Sequence, residues 1–195
     1  MVAEQNSNSL FQKLRDSPLK TIHSWQNLRV TWLIMFVAAL FLELCALGFQ
    51  YILHMDPCER CVYQRLAVLV LMLSSLIIII SPTNPLLRII GYSLWIAGAL
   101  YGLKEAIALT ADYAEFNPFT SSCSFHPVFP FDLPLYEWWP SMFMPTGICG
   151  ADEWTFLTLN MGEWMEGVFS IYLLVASICI ISSIYSTLFI RSFLK

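Results

Sequence analysis

The chain has 195 residues, 57% of them hydrophobic and 12% charged, with a formal net charge of -4. Soluble domains run about 45–50% apolar and about 25% charged, so an ordinary water-soluble globule is excluded, and the length suits one compact membrane domain. No basic stripe runs through the sequence, which argues against nucleic acid as a partner.

Residues 1–29 are polar and mixed, carry Lys13, Arg15, Lys20 and Arg29, and read as a cytoplasmic basic tail. The apolar run that follows is too long for a signal-peptide core and shows no obvious small-residue cleavage site, so it is expected to remain as an anchor. A first span is expected over 30–53, because a helix needs about 20 apolar residues to cross about 30 Å of hydrocarbon. A polar break over 54–60 carries Cys58-Glu59-Arg60-Cys61 up to the start of a second span, 61–80. Ser81-Pro82-Thr83-Asn84-Pro85 reads as a tight turn, with Asn84 suited to an N-cap and Pro85 to the first helical position. A third span is expected over 86–109.

The segment 110–166 contains Pro118, Pro127, Pro130, Pro134, Pro140 and Pro145 and so cannot be one helix. Connections of this length are functional or disordered, and its aromatic content argues against disorder. Phe129, Phe131, Tyr136, Trp138, Trp139 and Phe143 read as a stretch lying along a membrane–water interface, where aromatic side chains are favoured. A fourth span over 167–190 and a C-terminus of 191–195, with Arg191 and Lys195, close the chain. The expected fold is all-α: a four-transmembrane-helix bundle over 30–190 with two loops on one side.

Charge sets the orientation. No Lys or Arg occurs between Lys104 and Arg191, whereas the tail, the Arg88 turn and the C-terminus are basic. By the positive-inside rule these three face the cytoplasm. Both cysteine-bearing loops then face an outside compartment that permits disulfides.

Four cysteines fall in those outside segments: Cys58, Cys61, Cys123 and Cys149. They read as two redox pairs, Cys58 with Cys61 and Cys123 with Cys149. A thiolate at a helix N-terminus is stabilised by the macrodipole, and Arg60 and Arg65 are expected to lower its pKa further. The alternatives are two inert structural disulfides, or a zinc site, although structural zinc usually shows two close-spaced pairs. Cys45 and Cys179, inside spans, read as small buried hydrophobes. Arg65 falls about one turn inside the second span, where an unpaired cation is costly. Either it snorkels to the interface or it donates to a carbonyl oxygen of a bound quinone. Glu43 sits deeper; it is expected to pair with Arg65 or Lys104 or to pass protons to a reduced quinone, the alternative being a protonated carboxyl hydrogen-bonded between helices.

These residues resemble a known family. Leu42-Glu43-Leu44 through Phe49-Gln50, Pro57-Cys58-Glu59-Arg60-Cys61-Val62-Tyr63-Gln64-Arg65, the Cys123 region, and Phe129-Pro130 through Trp139-Pro140 to Gly147-Ile148-Cys149 resemble the disulfide bond formation protein B (DsbB) family, quinone-linked oxidoreductases of the bacterial inner membrane. Cys58 to Tyr63, with Phe129-Pro130-Phe131-Asp132-Leu133-Pro134-Leu135 and Pro145-Thr146-Gly147, is most similar to the DsbI branch, which works with a thioredoxin-like partner, DsbL. The resemblance implies that Cys123 is attacked by a reduced periplasmic thioredoxin-fold oxidase of the DsbA or DsbL kind. It implies that Cys149 helps pass the electrons to Cys58 and Cys61 through a transient bond between the loops. Cys61 then delivers them to ubiquinone or menaquinone, with Arg65 at the quinone ring; from the cysteine spacing alone, no metal is expected. Gln64 stands where many relatives have Glu, and no helix-three His contact for the quinone can be aligned. The rivals are a vitamin K epoxide reductase-like thiol and quinone enzyme, a thiolate metal-binding membrane protein, and a scaffold with inert disulfides.

Overall fold

The computed structural model describes residues 17–114, 124, 126–151 and 154–193; Lys13, Arg15, Cys123 and Lys195 lie outside them. In chain order the elements are α1 (Pro18–Gln26), α2 (Arg29–Tyr51), α3 (Glu59–Ile80), α4 (Pro85–Ala114), a 3-10 turn (Pro130–Asp132), α5 (Leu135–Trp138), α6 (Pro140–Phe143), β1 (Thr155–Phe156), β2 (Leu159–Asn160) and α7 (Met161–Phe193). Among the described residues α2, α3, α4 and α7 are long and apolar enough to cross a membrane. The chain is an all-α, four-helix membrane protein.

Local chemistry fixes where these helices start. Asn84 caps α4, its Oδ1 accepting from the Leu86 amide at 2.9 Å, and Pro85 takes the first position, where no amide donor is needed. α7 begins with a reciprocal capping box: the Asn160 amide donates to Glu163 Oε2 at 2.8 Å, and the Glu163 amide donates to Asn160 Oδ1 at 2.9 Å. That box lifts the start of α7 to Met161, ahead of residue 167, and α4 runs past residue 109 to Ala114. The β1–β2 hairpin pairs Thr155 with Asn160 and Phe156 with Leu159, directly before α7.

α2 packs along α3, α3 along α4 and α4 along α7, while α2 and α7 do not pack closely. A groove is therefore left between the first and last long helices. At the far end of the bundle α1 lies on α7: Gln26 Nε2 donates to the Cys179 carbonyl at 3.1 Å, and Ser182 Oγ donates to the Leu19 carbonyl at 2.5 Å. Polarity runs opposite to that of a soluble protein. Glu43, Gln64, Arg65, Ser74, Ser75 and Glu105 are buried, whereas Leu33, Ile34, Val37 and Phe41 are exposed. In lipid, apolar side chains gain nothing from the interior, so helix contact relies on close packing and polar links.

Gly98 and Gly102 supply that closeness on α4, four residues apart. A Cβ on Gly98 would stand 3.0 Å from Val70 Cγ1 and 3.2 Å from the Ala67 carbonyl, and one on Gly102 would run into the Phe169 ring of α7. One small-residue stripe thus lets α4 approach both α3 and α7. Replacing Gly102 by Val is expected to lower stability by about 1–3 kcal/mol through overpacking, read as a lower thermal unfolding midpoint of the purified protein in detergent. An unchanged midpoint would show that Phe169 yields freely.

Candidate active site

Two loops clasp each other at the end of the bundle where α2 runs into α3 and α4 leads towards α7. The Pro57 carbonyl accepts from the Thr146 amide at 2.9 Å and the Gly147 amide at 3.0 Å, and Thr146 Oγ1 donates to Asp56 Oδ1 at 3.0 Å. A side chain at Gly147 would collide with the Asp56 backbone, so only glycine admits this approach. Gly150 has φ +76, and a Cβ there would lie 2.5 Å from the Asp112 carbonyl. These constraints seat Cys149 beside Cys58. Both are 3% exposed and pack with Leu109, with Cys61 and Tyr113 at the edge of the cluster. Cys149 is disulfide-bonded. Cys123 lies outside the described residues.

Cys58 is the N-cap of α3, its sulfur accepting from the Cys61 amide at 3.3 Å, and the two Sγ atoms stand 2.6 Å apart. This places the pair in bridging range. The hydrogen bond to Cys61 and then burial hold the Cys58 thiol well above its ordinary pKa, outweighing the backbone amides of the helix start. The expectation of a lowered value at Cys58 is therefore corrected, and the reason is geometric. Arg60 turns away from the thiols: its Nη1 donates to Glu105 Oε2 at 2.8 Å, and its Nε lies 3.5 Å from Asp112 Oδ2. Lys104 also reaches Glu105, at 3.2 Å, rather than Glu43.

Below the pair lies a cavity of about 260 Å³, in the groove between α2, α3 and α7. Cys61, Glu43, Gln64 and Arg65 line it, with Phe49 and Met55 on one side and Trp154 and Trp164 on the other. Trp154 meets Phe49 edge-on at 5.1 Å and stacks on Phe156 of the hairpin, so the hairpin braces this wall. Arg65 is 5% exposed and does not reach solvent. Its Nη1 donates to Gln50 Oε1 at 2.7 Å and to the Met142 carbonyl at 3.1 Å, and its Nη2 donates to the Ala46 carbonyl at 3.3 Å. A guanidinium has five donors, so some remain for an oxygen inside the cavity. Both carboxyl oxygens of Glu43 and Nε2 of Gln64 are buried without a hydrogen-bond partner among the described residues. Buried polar groups rarely stand alone, so these orphans mark where a ligand's polar atoms fit. Apolar and aromatic walls with donors at one end suit a flat, greasy molecule carrying carbonyl oxygens.

The structure thus brings Cys61, Arg65 and Glu43 to one cavity, and Cys58 and Cys149 to one cluster. Cys45 borders the cavity, and Cys179 lies near the opposite end against α1. Among the described residues no group of three or more His, Cys, Asp or Glu side chains is gathered to hold a metal. The aromatic stretch divides: Trp138 and Trp139 are exposed, whereas Phe129 and Phe143 turn inward onto Val62 and Tyr63 of α3. Sequence reasoning gave Gln50 no role, although a polar residue at the end of an apolar run was a signal for it. It also passed over the Thr146-Gly147 clasp.

The family model for disulfide bond formation protein DsbB matches residues 28–179. A disulfide bond formation protein B from Shewanella amazonensis is 45% identical over 156 residues, covering 80% of this chain and 92% of the relative. One from Shewanella loihica is 41% identical over 159 residues, covering 82% and 92%.

Because hydrogen bonding to Cys61 is the larger cause of the raised Cys58 pKa, Cys61→Ala should move the Cys58 titration down, though burial keeps it above an exposed thiol's. Thiolate absorbance against pH, as the difference between Cys61→Ala and Cys58→Ala/Cys61→Ala in the reduced state, measures this. A titration that stays put or rises would contradict the assignment.

Proposed function

The chain belongs to the disulfide bond formation protein DsbB family, and on that premise we propose that it takes electrons from a reduced periplasmic thioredoxin-fold oxidase through Cys123 and delivers them from Cys61 to a membrane quinone beside Arg65. The chain is a membrane protein-disulfide oxidoreductase, and its family is generally quinone-linked. The single observation that carries the finer reading is that Cys61 belongs both to a thiol pair and to the wall of the cavity that Arg65 lines.

The exchange follows from thiolate attack on a disulfide sulfur. A partner thiolate attacks Cys123 Sγ, the Cys123–Cys149 bond breaks, and Cys149 leaves as the thiolate. Packed against Cys58, it attacks Cys58 Sγ, breaks the Cys58–Cys61 bond and leaves Cys61 as a thiolate at the cavity wall. The partner's second thiolate closes the partner's own disulfide and frees Cys123. Cys123 then attacks Cys149 in the bond between the loops, restoring Cys123–Cys149 and freeing Cys58. The electron pair that left the partner now resides on Cys58 and Cys61. A quinone held in the cavity would supply the sink for two electrons and two protons as the Cys58–Cys61 bond closes. Arg65 would hold it there, its spare N–H donors being suited to stabilise negative charge on a carbonyl oxygen. Glu43, orphaned in the same cavity, holds a proton at its carboxyl within the pocket.

The reading also fixes sidedness. Residues 1–29 and 191–195 lie in the cytoplasm, the membrane domain covers 30–190, and the segments 54–60 and 110–166 face the periplasm of a bacterium's inner membrane. The absence of Lys and Arg between Lys104 and Arg191 supports this. The quinone is ubiquinone or menaquinone, and the partner is of the DsbA or DsbL kind.

Purified protein should reduce a short-chain quinone when supplied with a reduced thioredoxin-fold partner, followed by loss of quinone absorbance. Cys123→Ala should abolish that turnover; unaltered turnover would remove the relay. Arg65→Gln should raise the KM for quinone about tenfold or more, the scale of one lost charged hydrogen bond, and an unchanged KM would take Arg65 away from the ring. Glu43→Gln should slow turnover at saturating quinone, and equal rates would exclude the proton role.

A further inference from the structure

Glu59 and Arg60, the two residues between the cysteines, splay in opposite directions. Arg60 goes to α4, as described. Glu59, in the first turn of α3, crosses to the long loop: its Oε2 accepts from the Ser124 amide at 2.7 Å. Its other oxygen, Oε1, accepts from the Tyr63 hydroxyl at 2.9 Å, one helical turn further on. The same hydroxyl accepts from the Val128 amide at 2.8 Å. Both ends of the stretch 124–128 are thus tied to one face of α3. Between the ties, Ser124 Oγ accepts from the His126 amide at 3.0 Å and closes a local turn. Just beyond them Phe129, 2% exposed, meets Tyr63 edge-on at 5.4 Å and Phe143 at 5.5 Å. An acidic residue in a first helical turn commonly serves its own helix dipole. Here the carboxylate is spent on a loop amide 65 residues away, and that amide belongs to the residue directly after Cys123.

We propose that Glu59 and Tyr63 are positioning residues: together they clip the loop segment that follows Cys123 onto the helix turn that carries Cys58 and Cys61, and so set the rate of exchange between the two cysteine pairs. The inference rests on the relay proposed above. The clip touches neither the cavity nor the thiols themselves. Cutting it frees one pair relative to the other and leaves the Cys58–Cys61 couple and its acceptor site in place. Charge-assisted hydrogen bonds are the stronger kind, so the Glu59–Ser124 tie is the main one and the Tyr63 hydroxyl completes it.

The test separates the two halves of the relay. Partner-driven turnover is measured with a reduced thioredoxin-fold protein and a short-chain quinone. Turnover of the couple alone is measured with dithiothreitol as reductant in a Cys123→Ala/Cys149→Ala background. Glu59→Ala and Tyr63→Phe should each lower partner-driven kcat about tenfold, and together little more than either alone, because they act as one unit. Glu59→Gln, which keeps an acceptor for the Ser124 amide, should recover part of the loss. In the background lacking Cys123 and Cys149, the same substitutions should leave dithiothreitol-driven rates within about twofold, as expected where no hydrogen bond of the couple itself is lost. A parallel fall of both rates would reduce Glu59 to a support of the couple's fold and overturn the proposal, as would unchanged partner-driven rates. Absence of partner-driven turnover in the unsubstituted protein would instead overturn the relay.

Discussion

A guanidinium that cannot reach water organises this molecule. Arg65 sits in the second long helix, 5% exposed, and a cation left unpaired in such a place costs several kcal/mol. Its three acceptors come from two places: the Ala46 carbonyl and Gln50 side chain towards the end of α2, and the Met142 carbonyl of the long loop. Satisfying one charge therefore joins two helices and draws the loop down onto the bundle. The loop cannot lift away without leaving part of that charge bare.

A second constraint works beside it. Membrane helices gain little from hiding apolar surface, so their contacts are made by small residues and internal polar links. In α4, Gly98 lets α3 come close and Gly102 lets α7 come close, while α2 and α7 stay apart. The cavity occupies the gap, bounded by outward-facing apolar helices on its flanks and by Arg65 and Cys61 at its inner end. At the opposite end of the bundle, Gln26 Oε1 accepts from Arg88 at 2.6 Å, Tyr92 at 2.8 Å and Ser183 at 2.8 Å, a knot that holds α1, α4 and α7 together. The end of the bundle at α1 is thus tied by these hydrogen bonds, and at the other end the oxygens of Glu43 and Nε2 of Gln64, without partners among the described residues, belong to residues that line a cavity.

What could be read from the sequence was whatever depends on near neighbours. Long apolar runs, a C-x-x-C pair at the head of one, and a lone Arg one turn inside all declare themselves within a dozen residues. The stripe Gly98 to Gly102 was equally local, though its meaning depends on which helices it meets. Arg60 shows the limit of adjacency: it is bonded to Cys61 in sequence, yet its side chain is taken by Glu105, 45 residues away. The partners of Asp56, at a separation of 90 residues, and of Glu59, at 65, are set by how the loops fold back and leave no pattern in composition or period. Phe129 and Phe143 looked like their exposed neighbours Trp138 and Trp139 because hydrophobicity alone does not say which face of an irregular segment meets the core.

The contrasted surroundings of the cysteines bear on the direction of electron flow. A DsbA-type partner is strongly oxidising, near about -120 mV, and each 30 mV is worth about 1.4 kcal/mol for two electrons, so drawing electrons from it is uphill for an ordinary disulfide. In the proposed relay the pull comes from its far end. Cys58 is enclosed, with its thiol held above the ordinary range by Cys61 and by burial, whereas Cys61 borders the cavity with Arg65 on the same wall. The last sulfur in the proposed relay is the one that borders a cavity, and there the Arg65 guanidinium stands ready for the charge that arrives. The guanidinium is hydrogen-bonded by neutral oxygens of Gln50, Ala46 and Met142, while the Glu43 carboxyl lies within electrostatic reach and lines the same cavity, so the ligand space has a cation and an acid side by side.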